Sequence, residues 1–367
     1  MRIGIPTEIK PSEYRVAITP TGVQQLTSLG HEVFVQAGAG IGSNITDAHY
    51  EHAGAAILDS AEAVWSRAEL LLKVKEPLPQ EYPFFRSDLT LFTYLHLAAQ
   101  AELTRALLDS GITAFAYETV QSPNRSLPLL KPMSEVAGRL SVIAGANAMF
   151  KPNGGAGILV SGVTGTSPGQ VVILGAGVAG TNALQMAVGL GARVTILDTN
   201  TERLAQLDAE YGSAVTTVES TPAAIESACV NADLVVGSVL IPGAKAPKLV
   251  TNALVAKMKP GSVLVDIAVD QGGCFEDTHP TTHDNPTFTV HGSTFYCVAN
   301  MPGAVPQTST EALTHATLPY IVKLGEGWLE AITADPALRA GLNTSNGKLY
   351  NEAVGQAHGI AVTAELT

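Results

Sequence analysis

Charged residues are scarce in this sequence: they make up 15% of its 367 residues, whereas apolar residues make up 46% and the mean hydropathy is +0.21. Basic residues are the scarcer kind, and the formal net charge is -12. An acidic surface repels phosphate backbones, so we expect no nucleic-acid partner. A chain this apolar buries much surface, either in a large core or between subunits, and composition alone does not separate the two.

Cysteine and long apolar runs are also lacking. The three cysteines, Cys229, Cys274 and Cys297, show no C-x-x-C spacing, which is typical of reduced thiols in a cytosolic protein. No apolar run reaches the length of a membrane-spanning helix, and the N-terminal stretch lacks the pattern of a signal peptide. We therefore expect a soluble, cytoplasmic protein without a membrane partner.

What the sequence does contain is an alternation of short apolar runs and helical stretches. Such alternation indicates parallel sheets with crossover helices, and the length suggests more than one domain. The predicted fold is α/β, with two Rossmann-like, doubly wound parallel-sheet domains joined by long helices. The predicted substrate domain comprises residues 1–130 and 307–367, and the predicted dinucleotide domain comprises residues 131–306.

A glycine motif lies at the centre of the second domain. A β-branched apolar run from Gln170 is followed by Gly175, Gly177 and Gly180 at G-x-G-x-x-G spacing, then by a helical stretch and a second strand ending at Asp198. This order is typical of a dinucleotide site, in which the pyrophosphate meets the helix N-terminus. An acid at the end of the second strand binds the ribose hydroxyls and repels a 2′-phosphate, which predicts NAD rather than NADP.

Four polar residues stand at predicted turns or strand ends. Arg15 follows the first strand in KPSEYRVAITP, and Lys75, His96 and Asp270 lie at the carboxyl ends of later strands, where ligands bind in such sheets. Taken singly, each residue favours an exposed or structural role; together, beside a nicotinamide site, they predict chemistry. His279 and His283 have H-x3-H spacing but lie in a loop-like stretch without a third ligand, so we predict no metal.

Several longer stretches resemble the L-alanine dehydrogenase family over nearly the whole chain and in the same order. They include MRIGIPTEIKPSEYRVAITP, LLLKVKEPLPQEY, LFTYLHLAA, VVILGAGVAG, VDIAVDQGGCFEDTHPTTHDNPTF and VANMPGAVP. The resemblance implies NAD-dependent, reversible oxidative deamination of L-alanine to pyruvate and ammonium, and a homohexamer. Gln307 stands where many relatives have arginine, and Cys297 where glycine is frequent. Neither position is one of the four catalytic positions, so these differences bear on details of the site and not on the presence of activity.

The resemblance also implies roles for individual residues. His96 and Asp270 match the catalytic positions, although the sequence leaves open which of them is the principal base. Arg15, Lys75 and Asn300 match the substrate positions. The implied cofactor contacts are Ser134, Gly175, Gly177, Val178, Gly180, Asp198, Arg203, Ser220, Val239, Leu240, Ile267, Asp270, Val298 and Met301.

Two other functions compete with this interpretation. The first is the soluble NAD-binding subunit of a transhydrogenase-like complex, which would need no amino-acid pocket; YLHLAA and ANMPGAVP argue against it. The second is a catalytically silent NAD-binding module, which would be expected to lack one of Arg15, Lys75, His96 or Asp270. All four are present, and we therefore predict an enzyme.

Overall fold

The computed structural model describes residues 1–239 and 246–363. The chain divides into two compact units. Unit 1 comprises Met1–Met133 and Val305–Thr367, and unit 2 comprises Ser134–Ala304.

Both units alternate strands and helices. The helices are α1 (Pro20–Ser28), α2 (Asp47–His52), α3 (Ala61–Arg67), α4 (Ala101–Ser110), α5 (Lys131–Ala148), α6 (Val178–Gly189), α7 (Thr201–Tyr211), α8 (Pro222–Val230), α9 (Asn252–Val255), α10 (Pro306–Glu326), α11 (Trp328–Ala334), α12 (Pro336–Gly341) and α13 (Glu352–His358). The strands are β1 (Arg2–Ile5), β2 (Glu32–Gln36), β3 (Ala56–Leu58), β4 (Leu70–Leu72), β5 (Thr90–Thr93), β6 (Thr113–Ala116), β7 (Gln170–Leu174), β8 (Arg193–Asp198), β9 (Val215–Glu219), β10 (Leu234–Gly237), β11 (Val263–Asp266), β12 (Thr287–Val290), β13 (Ser293–Tyr296), β14 (Leu342–Ser345) and β15 (Lys348–Leu349).

The sheet of unit 1 has the strand order β15-β14-β6-β5-β4-β1-β2-β3. Six of these strands run parallel, as the sequence predicts, but β14 is antiparallel to β6 and β15 is antiparallel to β14. The turn between β14 and β15 is Asn346-Gly347, and both residues have positive φ angles (48° and 74°). An Asn-Gly pair favours this tight hairpin, which adds an antiparallel pair at the edge of the predicted parallel sheet.

The sheet of unit 2 has the strand order β12-β13-β11-β10-β7-β8-β9. Its edge strand β12 is antiparallel to β13, across a two-residue turn at His291-Gly292 that also has positive φ angles (49° and 81°). The other pairings are parallel. The α/β class with two Rossmann-like units is confirmed, with an antiparallel addition to each sheet.

Strand β7 shows how the sheet of unit 2 is buried. Val171 and Ile173 pack into one hydrophobic cluster, whereas Val172 and Leu174 pack into a second one. Because successive side chains of a strand point to opposite faces, both faces of this sheet are covered. That explains why β7 reads as a continuous apolar run rather than an alternating one.

Two predicted strands end earlier than their apolar patterns suggest. The run LLLKVKEP is a strand only as far as Leu72, and SVLVDIAVD only as far as Asp266. Lys75 and Asp270 therefore lie in the loops that follow β4 and β11. No helix among the described residues is both long enough and apolar enough to cross a membrane.

Candidate active site

Arg15 is the most deeply buried of the predicted substrate residues, with 3% of its surface exposed. Its Nε donates to Glu13 Oε1 at 2.7 Å, and its Nη2 donates to Glu13 Oε2 at 2.6 Å. Burial disfavours the charge on Arg15, but the Glu13 carboxylate outweighs it and raises the pKa of the guanidinium. Arg15 is therefore a fixed cation whose Nε–Nη2 edge is already paired within the protein.

Lys75 and Glu76 follow each other in the loop after β4, and both are buried (7% and 5% exposed). Glu76 Oε2 lies 3.3 Å from His96 Nδ1, and Glu76 Oε1 accepts a hydrogen bond from Lys10 Nζ. Burial raises the pKa of Glu76, but the hydrogen bond from His96 and the charges of His96 and Lys75 outweigh this and hold it well below its usual range. Glu76 thus connects the predicted lysine and histidine.

His96 has an uncommon backbone conformation, with φ 51° and ψ 35° in the left-handed region. Its backbone N–H donates to Glu118 Oε1 at 2.6 Å, and the N–H of Leu95 donates to the same carboxylate oxygen at 3.2 Å. Such a conformation persists in a non-glycine residue only when surrounding contacts impose it. Glu118 supplies those contacts at the end of β5.

Tyr94 joins the same group from two residues before His96. Its ring stacks on the imidazole with 5.9 Å between centroids, and its hydroxyl donates to the carbonyl of Leu129 at 2.7 Å. Burial raises the pKa of the Tyr94 hydroxyl, against the opposing influence of Arg15. Unit 1 therefore brings Arg15, Lys75 and His96 together, connected by the side chains of Glu13, Glu76 and Tyr94.

Unit 2 contains the glycine turn between β7 and α6. Gly175 has φ 101°, which favours glycine, and a Cβ on Gly180 would lie 1.8 Å from the carbonyl oxygen of Gly175. Among the described residues, a Cβ on Gly177 would meet no atom within 4 Å, and no side chain caps the N-terminus of α6. Within that part of the chain, the turn thus presents open space and uncapped helix N–H groups, which fit a pyrophosphate.

Asp198, at the end of β8, closes this turn. Its Oδ2 accepts the N–H of Ala176 at 2.6 Å, and its Oδ1 accepts the N–H of Asn200 at 2.8 Å. Arg203 reaches the same turn, with Nε 3.3 Å from the carbonyl of Ala176 and Nη2 3.0 Å from Thr181 Oγ1. Asp198 and Arg203 are therefore brought together with the glycines.

The other predicted cofactor positions are distributed around the carboxyl ends of the strands and in two helices of unit 2. Ser220 directly follows β9 and donates its N–H to the Asp198 carbonyl, and Ile267 directly follows β11. Val298 and Met301 are buried in a hydrophobic cluster, with 1% and 3% of their surfaces exposed. The remaining predicted contacts are located as follows: Ser134 in the first turn of α5, Val178 at the start of α6, Val239 against Gly175, and Leu240 outside the described residues.

Asp270 lies in a single 3-10 turn, Val269–Gln271, where its side chain is exposed. The loop is held from within by Asp266, whose carboxylate accepts the N–H groups of Ala268 at 3.1 Å and of Cys274 at 2.8 Å. Burial raises the pKa of Asp266 against these hydrogen bonds. Asp266 is therefore the acid that shapes the loop carrying Asp270.

Asn300 also has a left-handed backbone, with φ 72°. Its carbonyl oxygen lies 3.2 Å from His283 Nε2, so one histidine of the H-x3-H pair contacts the predicted substrate residue. The other, His279, stacks on Phe288 with 3.8 Å between ring centroids. Among the described residues there is no group of three His, Cys, Asp or Glu side chains that could hold a metal ion.

A cavity of about 470 Å³ lies elsewhere in unit 2. Its lining includes Gln170 and Arg193, which begin β7 and β8, and residues of α8. The glycine turn and Asp198 lie at the opposite, carboxyl ends of the same strands. This cavity is therefore separate from the candidate site.

The acidic residues that organise the site do not stand out in the sequence. Glu13, Glu76, Glu118 and Asp266 each accept hydrogen bonds from a predicted functional residue or from the loop that carries one. Glu76 is adjacent to Lys75 in K-E, and Glu13 is two positions from Arg15 in E-x-R, and this proximity was the available signal.

Comparison with known proteins gives matches along almost the entire chain. Residues 4–137 match the family "Alanine dehydrogenase/PNT, N-terminal domain", and residues 141–352 match "Alanine dehydrogenase/PNT, C-terminal domain". An alanine dehydrogenase of Mycolicibacterium smegmatis is 60% identical over 355 residues, covering 96% of each chain.

Solved structures agree with the sequence matches. An L-alanine dehydrogenase structure is 54% identical with a TM-score of 0.94, covering 97% of this chain and 99% of the other. A transhydrogenase from Sinorhizobium meliloti is 28% identical with a TM-score of 0.83, covering 96% of this chain and 100% of the other. These matches confirm the resemblance and the prediction of an enzyme: the chain belongs to the alanine dehydrogenase/PNT family.

Proposed function

We propose that this protein catalyses the NAD-dependent, reversible oxidative deamination of L-alanine to pyruvate and ammonium. The observation that carries the proposal is the pair of buried cations in unit 1, Arg15 and Lys75 (3% and 7% exposed), beside the half-exposed imidazole of His96. Two buried positive charges next to an acid–base group suit a small substrate that carries a carboxylate at its reacting carbon. The alanine dehydrogenases at 54–60% identity support the same substrate.

The proposed roles of the residues are as follows. Arg15 and Lys75 hold the substrate carboxylate, and Asn300 contacts the substrate near the nicotinamide. When bound in unit 2, nicotinamide would supply the acceptor for the hydride of the α-carbon. Water then adds to the resulting iminium carbon and ammonium leaves, so the balanced products are pyruvate, ammonium, NADH and one proton.

His96 and Asp270 carry the protons in this proposal. His96 exchanges a proton with the oxygen that becomes the pyruvate carbonyl, since an imidazole does so near neutral pH. Asp270 accepts a proton from the amine or from water. Glu76 is the acid that orients the His96 ring through Nδ1.

NAD is the proposed cofactor because of Asp198. Its carboxylate lies at the end of β8 and against the glycine turn, where a 2′-phosphate would meet negative charge. The proposed contacts around it are those named from the sequence: Ser134, Gly175, Gly177, Val178, Gly180, Arg203, Ser220, Val239, Leu240, Ile267, Asp270, Val298 and Met301. The open space at Gly177 supports this assignment.

The transhydrogenase-like alternative is weaker. The transhydrogenase structure matches at 28% identity, against 54% for the L-alanine dehydrogenase structure. A transhydrogenase would pass hydride between two nicotinamides and would have no use for buried cations that fit an amino-acid carboxylate. Turnover with NADH and an oxidised nicotinamide analogue, but none with L-alanine, would favour it.

We further propose a cytoplasmic homohexamer. Large apolar side chains are exposed in unit 2, among them Ile143 (49%), Phe150 (43%) and Val163 (63%), which fits burial between copies. Light scattering on the purified protein should give six copies of a 38.1 kDa chain. Cell fractionation tests the location.

The proposed activity is tested by NADH absorbance with NAD and L-alanine, using D-alanine, glycine and L-lactate as parallel substrates. A rise with L-alanine alone, and oxidation of NADH by pyruvate with ammonium, is the expected result. Separately, His96→Ala and Asp270→Ala should abolish turnover while NADH still binds. Normal turnover in either variant would remove that residue from the mechanism.

A further inference from the structure

Glu8, Lys73 and Glu81 form a buried ion triad in unit 1. Lys73 is 1% exposed, and its Nζ lies 3.2 Å from Glu8 Oε2 and 3.0 Å from Glu81 Oε1. Burial opposes the charge on Lys73, but the two carboxylates outweigh it and raise the pKa of the ammonium. None of the three residues belongs to the proposed substrate or cofactor contacts.

The Glu8 side chain accepts backbone hydrogen bonds from the loop that carries Lys75, beyond the point where the pairing of β1 with β4 ends. The pairing of β1 with β4 extends only over Ile3↔Leu70 and Gly4↔Leu71. Beyond that ladder, Glu8 Oε1 accepts the N–H of Val74 at 2.5 Å, and Oε2 accepts the N–H of Lys75 at 3.4 Å. The carboxylate thus receives donors that a longer β1 would have received.

The opposite side of the same segment is held by the residues at the end of β5. Tyr94 donates its N–H to the carbonyl of Val74 at 3.3 Å, and Thr93 Oγ1 donates to the carbonyl of Lys75 at 3.0 Å. With Glu8 on one side and β5 on the other, the peptide groups of Val74 and Lys75 are fixed in both directions.

Glu81 holds the far end of the loop. Its Oε2 accepts the N–H of Leu78 at 2.9 Å, while its Oε1 faces Lys73. The Lys73 ammonium therefore contacts both carboxylates. The Glu8 carboxylate accepts the N–H of Val74 at the start of the loop, and the Glu81 carboxylate accepts the N–H of Leu78 at its end. Glu76 is in turn the partner of His96, so the segment 74–78 carries two functional contacts.

We propose that the Glu8–Lys73–Glu81 triad is a positioning device that fixes the loop 74–78 and thereby sets the affinity for the substrate carboxylate. The proposal rests on the proposed function, because Lys75 affects affinity only if it binds that carboxylate. Glu8 is a positioning residue, since it touches the backbone of the loop and acts through Lys75.

Glu8→Gln is the variant that isolates this role. It leaves Lys73 paired with Glu81, so no buried charge loses its partner, whereas Lys73→Met would leave two buried carboxylates without a cation and destabilise the fold. The amide keeps one acceptor but presents an NH₂ group, which must face either the Lys73 ammonium or the N–H of Val74. The fold is therefore retained while the loop loses one of its fixed contacts.

The experiment compares Glu8→Gln with wild type, with Lys75→Ala and with Glu69→Gln. Glu69 is the matched control, because its Oε2 also accepts a backbone N–H, that of Arg2 at 2.7 Å, at the other end of the same two strands. For Glu8→Gln we expect KM for L-alanine and pyruvate to rise about ten- to a hundredfold, with NADH affinity unchanged. Amide hydrogen exchange in residues 73–78 should also become faster, and Glu69→Gln should show neither change.

Unchanged KM in Glu8→Gln, alongside a raised KM in Lys75→Ala, would overturn the triad's role and leave the proposed function standing. Faster exchange without a change in KM would overturn it as well, as would an equal loss of NADH affinity. If Lys75→Ala itself leaves KM unchanged, or wild type does not oxidise L-alanine, the proposed function fails instead.

Discussion

Among single residues, His96 depends most visibly on its neighbours. Glu76 contacts its Nδ1 and Glu118 receives its backbone N–H, so one acid orients the ring and the other holds the left-handed backbone. In unit 1 the groups proposed for chemistry are Arg15, Lys75 and His96, and at least one buried carboxylate holds each of them.

Glu76→Gln should therefore lower kcat about ten- to a hundredfold, as expected for loss of an orienting partner. The amide is nearly the same size, so the substrate cations Arg15 and Lys75 should stay in place and NADH affinity should not change. Steady-state kinetics measures the effect, with Glu226→Gln as a control from an exposed ion pair with Lys257. An unchanged kcat in Glu76→Gln would contradict the orienting role.

Asp198→Gly should relax the preference for NAD, because it removes the negative charge that we propose to face the ribose 2′ position. Since Asp198 also receives the N–H of Ala176, affinity for NAD should fall at the same time. The ratio of kcat/KM for NAD and NADP measures the change. Asp198→Asn removes the charge but keeps the shape of the side chain, so it separates the two effects. Retained discrimination against NADP in both variants would contradict the assignment.

The candidate residues could be proposed from sequence, whereas their partners could not. Arg15, Lys75 and His96 were found from their places after apolar runs and from the family resemblance. Glu76 and Glu118 look like ordinary surface acids in the sequence, because nothing local shows that Glu76 is buried or that Glu118 contacts the His96 backbone. Glu118 meets His96 only because β5 and β6 are neighbours in the sheet.

At the scale of elements, the turn into α6 is the most constrained. Gly180→Ala should weaken NADH binding more than tenfold, since its Cβ would lie 1.8 Å from the carbonyl oxygen of Gly175 and force the turn to shift. Gly189→Ala is the matched control on the same helix, because its Cβ would meet no atom of residues 1–239 or 246–363 within 4 Å. Fluorescence titration with NADH measures both, and equal affinities would contradict the account of the turn.

The start of α12 gives a prediction about pH and stability. Asp335 accepts the N–H of Ala337 at 2.9 Å and pairs with Lys323 at 2.7 Å. Burial raises the pKa of Asp335, but these contacts outweigh it and lower the pKa overall. Its contribution is therefore present above the unfolded pKa of about 3.9 and lost as the pH falls through the folded value.

Asp335→Ala should accordingly reduce the free energy of unfolding by about 1 kcal/mol at pH 7. The difference from wild type should shrink below about pH 4, where the carboxyl is protonated in the unfolded chain. Urea denaturation at a series of pH values measures this. A difference that grows as the pH falls would have the wrong sign and would refute the capping argument.

Element types were more predictable than element ends. The apolar runs predicted β4 and β11 correctly, but both strands stop where a carboxylate, Glu8 or Asp266, takes over the backbone N–H groups. The exchange at β4 joins residues far apart in the chain, whereas Asp266 accepts the N–H groups of residues that follow it closely. The two antiparallel hairpins were missed although one of them has an Asn-Gly turn.

For the whole molecule, the sequence was sufficient for the fold class and the family. The alternation of strands and helices predicted two α/β units, and the named stretches predicted a family to which the matches over residues 4–137 and 141–352 assign the chain. The antiparallel strands at the sheet edges do not alter either conclusion. What the sequence could not show is which charged side chains of unit 1 are buried, and it could not show pairs between distant segments, such as Glu8 with Lys73 and Glu76 with His96.

The central claim is that hydride passes from the α-carbon of L-alanine to NAD. The most direct measurement is incubation of the enzyme with NAD and L-alanine deuterated at that carbon, followed by mass spectrometry of the NADH formed. We predict that the NADH carries one deuterium and that pyruvate and ammonium form in equal amounts. NADH without deuterium, or no NADH at all, would contradict the proposed reaction.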